Sequence, residues 1–253
     1  MTQIRVGRII YKNGKTIYPS FAGYTDITVL FADHSYWGDL SPYHIGEEGK
    51  EGKFSIMENY WQFSKVYPSV PKIVGTFSKN KKDIVWDHPE EVHIDKKGNL
   101  TEKYYAWRNK GMYNEYPVRY PVGYKNRGAC IYSLYIPFNG NEECKKLNYI
   151  DARKQIYVNK YCELVKKHPK FNELLEKIKK GEKLLIIEVD GPHQESLQYY
   201  EDEYKVPDHF IENSTIEVNE ENMKIMLNDP KHPFGHGYCL AIALLKKEME
   251  WCK

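Results

Sequence analysis

Excess charge of either sign is missing from this sequence. Lysine and arginine number 37 against 35 aspartates and glutamates, a net charge of +2. Such a balance gives no support to wrapping of duplex nucleic acid, which needs many uncompensated cations. Paired cysteines are missing too: Cys130, Cys144, Cys162, Cys239 and Cys252 are odd in number and contain no C-x-x-C. That excludes a regular disulfide framework and a zinc-ligand pattern, and fits a reducing compartment. The longest apolar run, Leu240 to Leu245, is far too short for a membrane span. Met1 to Arg8 is polar and basic, unlike a signal peptide. These absences predict a soluble, cytoplasmic protein with no membrane partner. No Ser/Gly- or Pro-rich linker and no internal repeat divides the 253 residues, so one domain spanning 1–253 is expected.

Aromatic residues are abundant: 22 Tyr, 9 Phe and 5 Trp. Rings of this kind fill cores, and Tyr and Trp also stack on nucleobases.

The hydrophobic pattern predicts an α+β fold dominated by helices, with a small β portion. Ile4 to Tyr11 and Thr16 to Tyr18 flank Asn13-Gly14, the dipeptide of a type I′ hairpin. Ile27 to Phe31 reads as a short buried strand. A helix is expected from Ser55, where Ser55 and Glu58 have capping-box spacing, to Pro68. Residues 70–140, rich in Pro, Gly, Lys and Tyr, read as a loop-rich excursion. Helical spacing returns at Tyr157, Tyr161, Leu164 and Val165, and again at Phe171, Leu174, Leu175 and Ile178. Pro169 starts the second of these helices and Gly181 ends it. Leu184 to Val189 is a β-branched strand run stopped by Asp190-Gly191-Pro192, and Tyr238 to Trp251 is the last helix.

Three groupings carry possible chemistry. In Glu58-Asn59-Tyr60-Trp61-Gln62-Phe63-Ser64-Lys65, helical spacing puts Glu58, Trp61, Gln62 and Lys65 on one face. A carboxylate can handle protons, a desolvated Lys can form a Schiff base with a ring-opened sugar, and a Trp can stack on a base. Glu58 as a plain capping acid and Lys65 as a solvated C-terminal charge is the alternative. The loop Tyr36-Trp37-Gly38-Asp39-Leu40-Ser41 is a ligand-binding edge or simply a turn with a packed ring. Gly235-His236-Gly237, leading into the last helix, presents N–H groups suited to a phosphate, or merely turns the chain. Asp190 and His193 lie in the turn after a strand. His232 and His236 are four apart, but no third ligand stands near, and neither a metal nor a cofactor is expected. The run Tyr116 to Arg127, aromatic and basic, is a nucleic-acid contact or a solvated surface.

The Tyr36–Ser41 segment followed by Glu58–Lys65 resembles the NADAR family, the YbiA-like N-glycosidases, with their Y-G-x-[FL]-S loop and E-x-[YW]-[FW]-Q-x-x-K helix. Gly235 to Leu244 resembles the family's closing glycine turn and helix. His168, Pro169, Phe171, Leu174 and Leu175 resemble its central K-F-x-x-H-P-x-L-x-x-L-L stretch. The chain also looks like proteins encoded by large DNA phages, which would put it in a host cytoplasm.

The resemblance implies hydrolysis of the bond between a nucleobase and a phosphoribose or ADP-ribose, with ADP-ribosylated guanine in nucleic acid among the substrates. It implies Glu58 as acid/base and Lys65 as the amine at ribose C1. Trp37, Gly38, Asp39 and Trp61 would line the pocket, and Gly235 and Gly237 would lie near phosphate. Gln62, Asp190 and His236 are further substrate-binding candidates, read from the residues themselves. Where the family has W-G-D/N-G, this chain has Asn228-Asp229-Pro230-Lys231-His232. That departure leaves a non-catalytic module for ADP-ribose or a modified nucleotide as the alternative.

Overall fold

The computed structural model describes residues 3–30, 35–49, 52–76, 84–137 and 143–252. The fold is α+β. Two compact units make it up: one from Met1–Ser41 and Val158–Lys253, the other from Pro42–Tyr157. No helix among the described residues is long and apolar enough to cross a membrane.

The first unit is built on a four-stranded sheet in the order Thr215–Glu217, Ile4–Arg8, Leu184–Glu188, Thr25–Thr28. The last three strands are parallel, with Val6 opposite Ile186 and Ile186 opposite Ile27. All five residues of Leu184–Glu188 are buried, as expected for a strand covered on both faces. The helix His236–Leu245 packs against this strand and against Ile4–Arg8, and is buried from His236 to Leu244.

Local signals account for much of this unit. Asn13 and Gly14 both take positive φ, 51° and 71°, between strands Ile10–Lys12 and Lys15–Ile17. That is the backbone a type I′ turn requires. Pro169 opens the helix Pro169–Lys179 behind an N-cap, His168, whose Nδ1 accepts from the Lys170 N–H. Gly181 follows it at φ 84°.

The strand expected over Ile27 to Phe31 is Thr25–Thr28, and Phe31 lies outside the described residues. The expected last helix is two, His236–Leu245 and Glu248–Trp251, separated where Lys246 adopts a left-handed conformation. The helices Leu197–Tyr204 and Glu220–Asn228 are additional. The second buries only Met223, Met226 and Leu227, too short a stripe to stand out as a period.

The second unit has several small sheets around an aromatic core. Phe63, Trp86, Tyr104 and Trp107 are buried together, Phe63 lying 4.8 Å from Trp86 and 4.6 Å from Trp107 between ring centroids. The stretch 70–140, expected to be loop-rich, is irregular over much of its described length but has regular elements as well. That stretch carries the helix Glu102–Met112 and the strands Ile84–His88 and Tyr132–Tyr135. The helix buries Tyr104, Trp107, Arg108, Gly111 and Met112. Two of those positions are charged or small, so the apolar period is faint in the sequence. Gly111 is required: a Cβ there would overlap the Phe63 ring.

Candidate functional site

In the second unit the Glu58 segment is shorter and differently capped than its sequence suggests. Ser55 lies in the strand Phe54–Ile56, paired with Glu47, so it cannot cap. The helix runs Met57–Gln62 with Ile56 at its N-cap and no side-chain cap bond. The capping-box reading of Glu58 is thereby corrected. After the helix, Ser64 Oγ donates to the Trp61 carbonyl at 2.8 Å. Lys65 is not helical but opens the two-residue strand Lys65–Val66, which pairs with Tyr132–Tyr135.

The four predicted residues still converge. Lys65 Nζ donates to Gln62 Oε1 at 2.8 Å, and Gln62 Nε2 donates to Glu58 Oε1 at 2.8 Å. An ammonium has donors only, so it fixes the amide orientation and leaves the NH₂ end for the carboxylate. Glu58 and Gln62 are buried. Lys65 Nζ also stands 4.7 Å from the Trp61 ring centroid, and Trp61 packs at 5.0 Å against Tyr157. Burial pushes the Lys65 amine below the ordinary lysine range; Cys130 and Glu58 oppose that shift and Arg119 adds to it. Burial in turn raises the Cys130 thiol, with the Lys65 charge as the main opposing influence. A partly desolvated amine spends more time neutral, which is the nucleophilic state.

Asn59, beside Glu58, is a positioning residue that sequence reasoning missed. It is fully buried. Its Nδ2 donates to the carbonyls of Asn114 and Tyr116 at 3.2 and 3.0 Å, and the Val118 N–H donates to its Oδ1 at 2.7 Å. Only its place inside the Glu58–Lys65 motif hinted at this role.

In the first unit, the other predicted residues gather at the carboxyl ends of the parallel strands, the usual ligand edge of such sheets. The 3₁₀ turn Tyr36–Leu40 buries Trp37 and Gly38, while Asp39 pairs with Lys170. Tyr36, not Trp37, is the exposed ring. Asp190 donates its N–H to Glu188 Oε1 at 3.2 Å.

Glu188, which no motif indicated, organises the rest. Its carboxylate is fully buried and accepts the N–H groups of Val189 at 2.6 Å and Gly237 at 2.5 Å besides that of Asp190. His236 Nδ1 stands 3.4 Å from Oε2, and its Nε2 faces the Val29 carbonyl at 2.8 Å. A Cβ on Gly235 would overlap this carboxylate, and one on Gly237 would come within 3.0 Å. The glycines thus do serve an anion at a helix N-terminus. The anion is the chain's own Glu188, and it holds the Gly237 N–H that a phosphate would use.

The loop Asn228-Asp229-Pro230-Lys231-His232 is likewise engaged internally. Asp229, fully buried, accepts from Tyr199 at 3.0 Å, Tyr200 at 2.5 Å and the Lys231 N–H at 2.9 Å, and pairs with His232 at 2.7 Å. Among the described residues no three His, Cys, Asp or Glu are arranged to hold a metal ion. Comparison of the chain with protein-family models, with curated proteins and with solved structures gives no match.

Proposed function

We propose that this protein is an N-glycosidase that cleaves the bond between a ribose and a nucleobase, with Glu58 and Lys65 as its catalytic residues. The observation that carries the proposal is the hydrogen-bonded series Glu58–Gln62–Lys65, which joins a buried carboxylate to an amine whose pKa burial has lowered. The Lys65 amine attacks C1 of the ribose as the C1–N bond breaks. The departing base takes the bonding electron pair and a proton delivered through Glu58. Ring opening gives a protonated Schiff base. Water adds to it, releases the sugar and regenerates the amine. Trp61, beside Lys65, offers a face for the base or sugar.

The sequence resemblance to NADAR proteins supports the same reading and ranks the substrates: ADP-ribosyl-guanine first, a phosphoribosyl-aminopyrimidine second. Trp37, Gly38, Asp39, Asp190 and Gly235 to Gly237 belong to the other unit and enter no step above. A nucleotide-binding module without turnover is the second reading. It is favoured by the position of Asp229, whose carboxylate is engaged by Tyr199, Tyr200 and His232.

The test is incubation of the protein with an ADP-ribosylated guanosine oligonucleotide, with borohydride added to half. Released ADP-ribose plus a reduced adduct at Lys65 supports the glycosidase. Saturable binding of ADP-ribose with no base released would establish the binding module instead.

A further inference from the structure

From Tyr116 to Pro137 the chain has no acidic residue, while it carries Arg119, Lys125 and Arg127 among tyrosines 116, 120, 124, 132 and 135. A chain that is nearly neutral overall has therefore set aside one segment of a single sign. In the structure its first part forms a ladder of cations and rings. The Arg119 guanidinium stands 5.1 Å from the Tyr120 ring, and Tyr120 meets Tyr124 edge-on at 5.2 Å. Arg127 lies 3.6 Å over Tyr124, held there by donating Nη1 to the Tyr124 carbonyl at 2.6 Å. Tyr116 and Tyr124 are 54% and 55% exposed, far beyond what a core role explains.

The ladder is anchored to the catalytic helix. The three Asn59 hydrogen bonds fix residues 114–118 beside Glu58, so the ladder starts one residue later, at Arg119. Arg119 is close enough to Lys65 for its charge to disfavour the ammonium. The neighbouring groove of about 520 Å³ is lined by Glu90, Glu91, Lys103, Val122 and Asn126 among others, a set unsuited to phosphates. A polyanion would run over the exposed rings instead.

We propose that the ladder of half-buried Arg119 and Tyr120 and exposed Tyr124 and Arg127, with exposed Tyr116 preceding it, is a docking surface for single-stranded nucleic acid. Unpaired bases stack on tyrosine rings and guanidinium planes, and the arginines and Lys125 meet the phosphates. A duplex hides its base faces and offers only charge, which three cations hardly exploit. The surface does not depend on the glycosidase reading, since binding requires neither Lys65 nor turnover.

The experiment is fluorescence anisotropy of the full chain with labelled unmodified oligonucleotides of about 12 residues, single-stranded and duplex, across a salt series. Three phosphate contacts predict a slope of log affinity against log salt near about −2. Tyr124→Ala and Arg127→Ala each weaken single-strand binding by about tenfold. Arg127→Lys keeps the salt slope while losing affinity, because it keeps the charge and loses the stacked plane. Lys183→Ala, which removes a surface cation beside Tyr24 in the other unit, leaves binding unchanged. Any of three results overturns the proposal: no single-strand binding, equal loss in Lys183→Ala, or displacement of the strand by polyglutamate as readily as by a second oligonucleotide. Normal strand binding by Lys65→Ala, coupled with absent turnover in wild type, would retain this surface and discard the glycosidase.

Discussion

In the unit built from both ends of the chain, Glu188 accepts three backbone N–H groups, and Asp229 is held by two phenols, a backbone N–H and His232. In the central unit, His93 is fully buried with neither ring nitrogen hydrogen-bonded, Glu91 standing 3.5 Å away. The indole N–H groups of Trp86 and Trp107 are buried and unpaired as well. Lys65, in the same unit, is shifted from its ordinary state by burial. Buried charges with several hydrogen bonds made hold a fold together. Under-satisfied ones store free energy that chemistry can draw on. The central unit, which holds these unpaired groups, also holds the Glu58–Lys65 series proposed above.

The contrast breaks most directly at Lys65. Lys65→Ala and Glu58→Gln are expected to lower the rate of base release by about a thousandfold or more, with little change in urea midpoint. Normal rates in folded variants would move the chemistry elsewhere. Glu188→Ala should do the reverse. It strands the Gly237, Val189 and Asp190 N–H groups and is expected to cost about 3 kcal/mol in urea unfolding. A loss under about 1 kcal/mol would mean the carboxylate is only tolerated there.

Acid sharpens the comparison further. Burial, with the His88 charge second, holds His93 at about 4 rather than 6.5. Between those values the unfolded chain binds a proton that the folded chain refuses. Stability is therefore full above about 6.5 and declines as pH falls toward 4, by about 3 kcal/mol. Calorimetry at stepped pH should show this decline, and His93→Phe should flatten it. Asp229 acts lower down. Burial alone would raise its pKa, but hydrogen bonds from Tyr200, the Lys231 N–H, His232 and Tyr199 hold it below 3.8. Its contribution is present above 3.8 and disappears only as pH falls through the folded value. The part of the acid loss below 6.5 that His93→Phe removes thus reports the central unit; His193, also lowered by burial, adds a loss in the same range from the other unit.

The smallest effect is expected for Gln62→Leu, about tenfold in kcat. The ammonium loses an acceptor in that variant, so the limb of the pH–rate profile governed by Lys65 moves to lower pH. An unmoved limb would show that the amide does not connect the two groups.

Signals that depend on a few neighbouring residues were readable in the sequence. Asn13-Gly14 specifies its turn, Pro169 and Gly181 bracket a helix, and the β-branched run from Leu184 marks a buried strand. The convergence of Glu58, Trp61, Gln62 and Lys65 was legible from spacing, although the helix ends at Gln62 and Lys65 reaches the others from a strand. Signals that needed a distant partner were not. Ser55 matches a capping box until Glu47 pairs with it in a sheet. Gly235-His236-Gly237 suggests a phosphate, and nothing local reveals that Glu188 takes the Gly237 N–H. The helix Glu102–Met112 was hidden because Arg108 and Gly111 occupy its buried face.

The strand order carries a consequence for synthesis. Ile4–Arg8 and Thr25–Thr28 are not neighbours in the sheet; Leu184–Glu188 lies between them. As the chain leaves the ribosome, these two early strands have no hydrogen-bonding partner in each other and must wait for the one inserted between them. The whole segment from Pro42 to Tyr157 emerges during that interval and, being continuous, can collapse on its own core first. A chain cut short before Leu184 would leave both early strands without a sheet neighbour, and open edges of that kind recruit other molecules into aggregates.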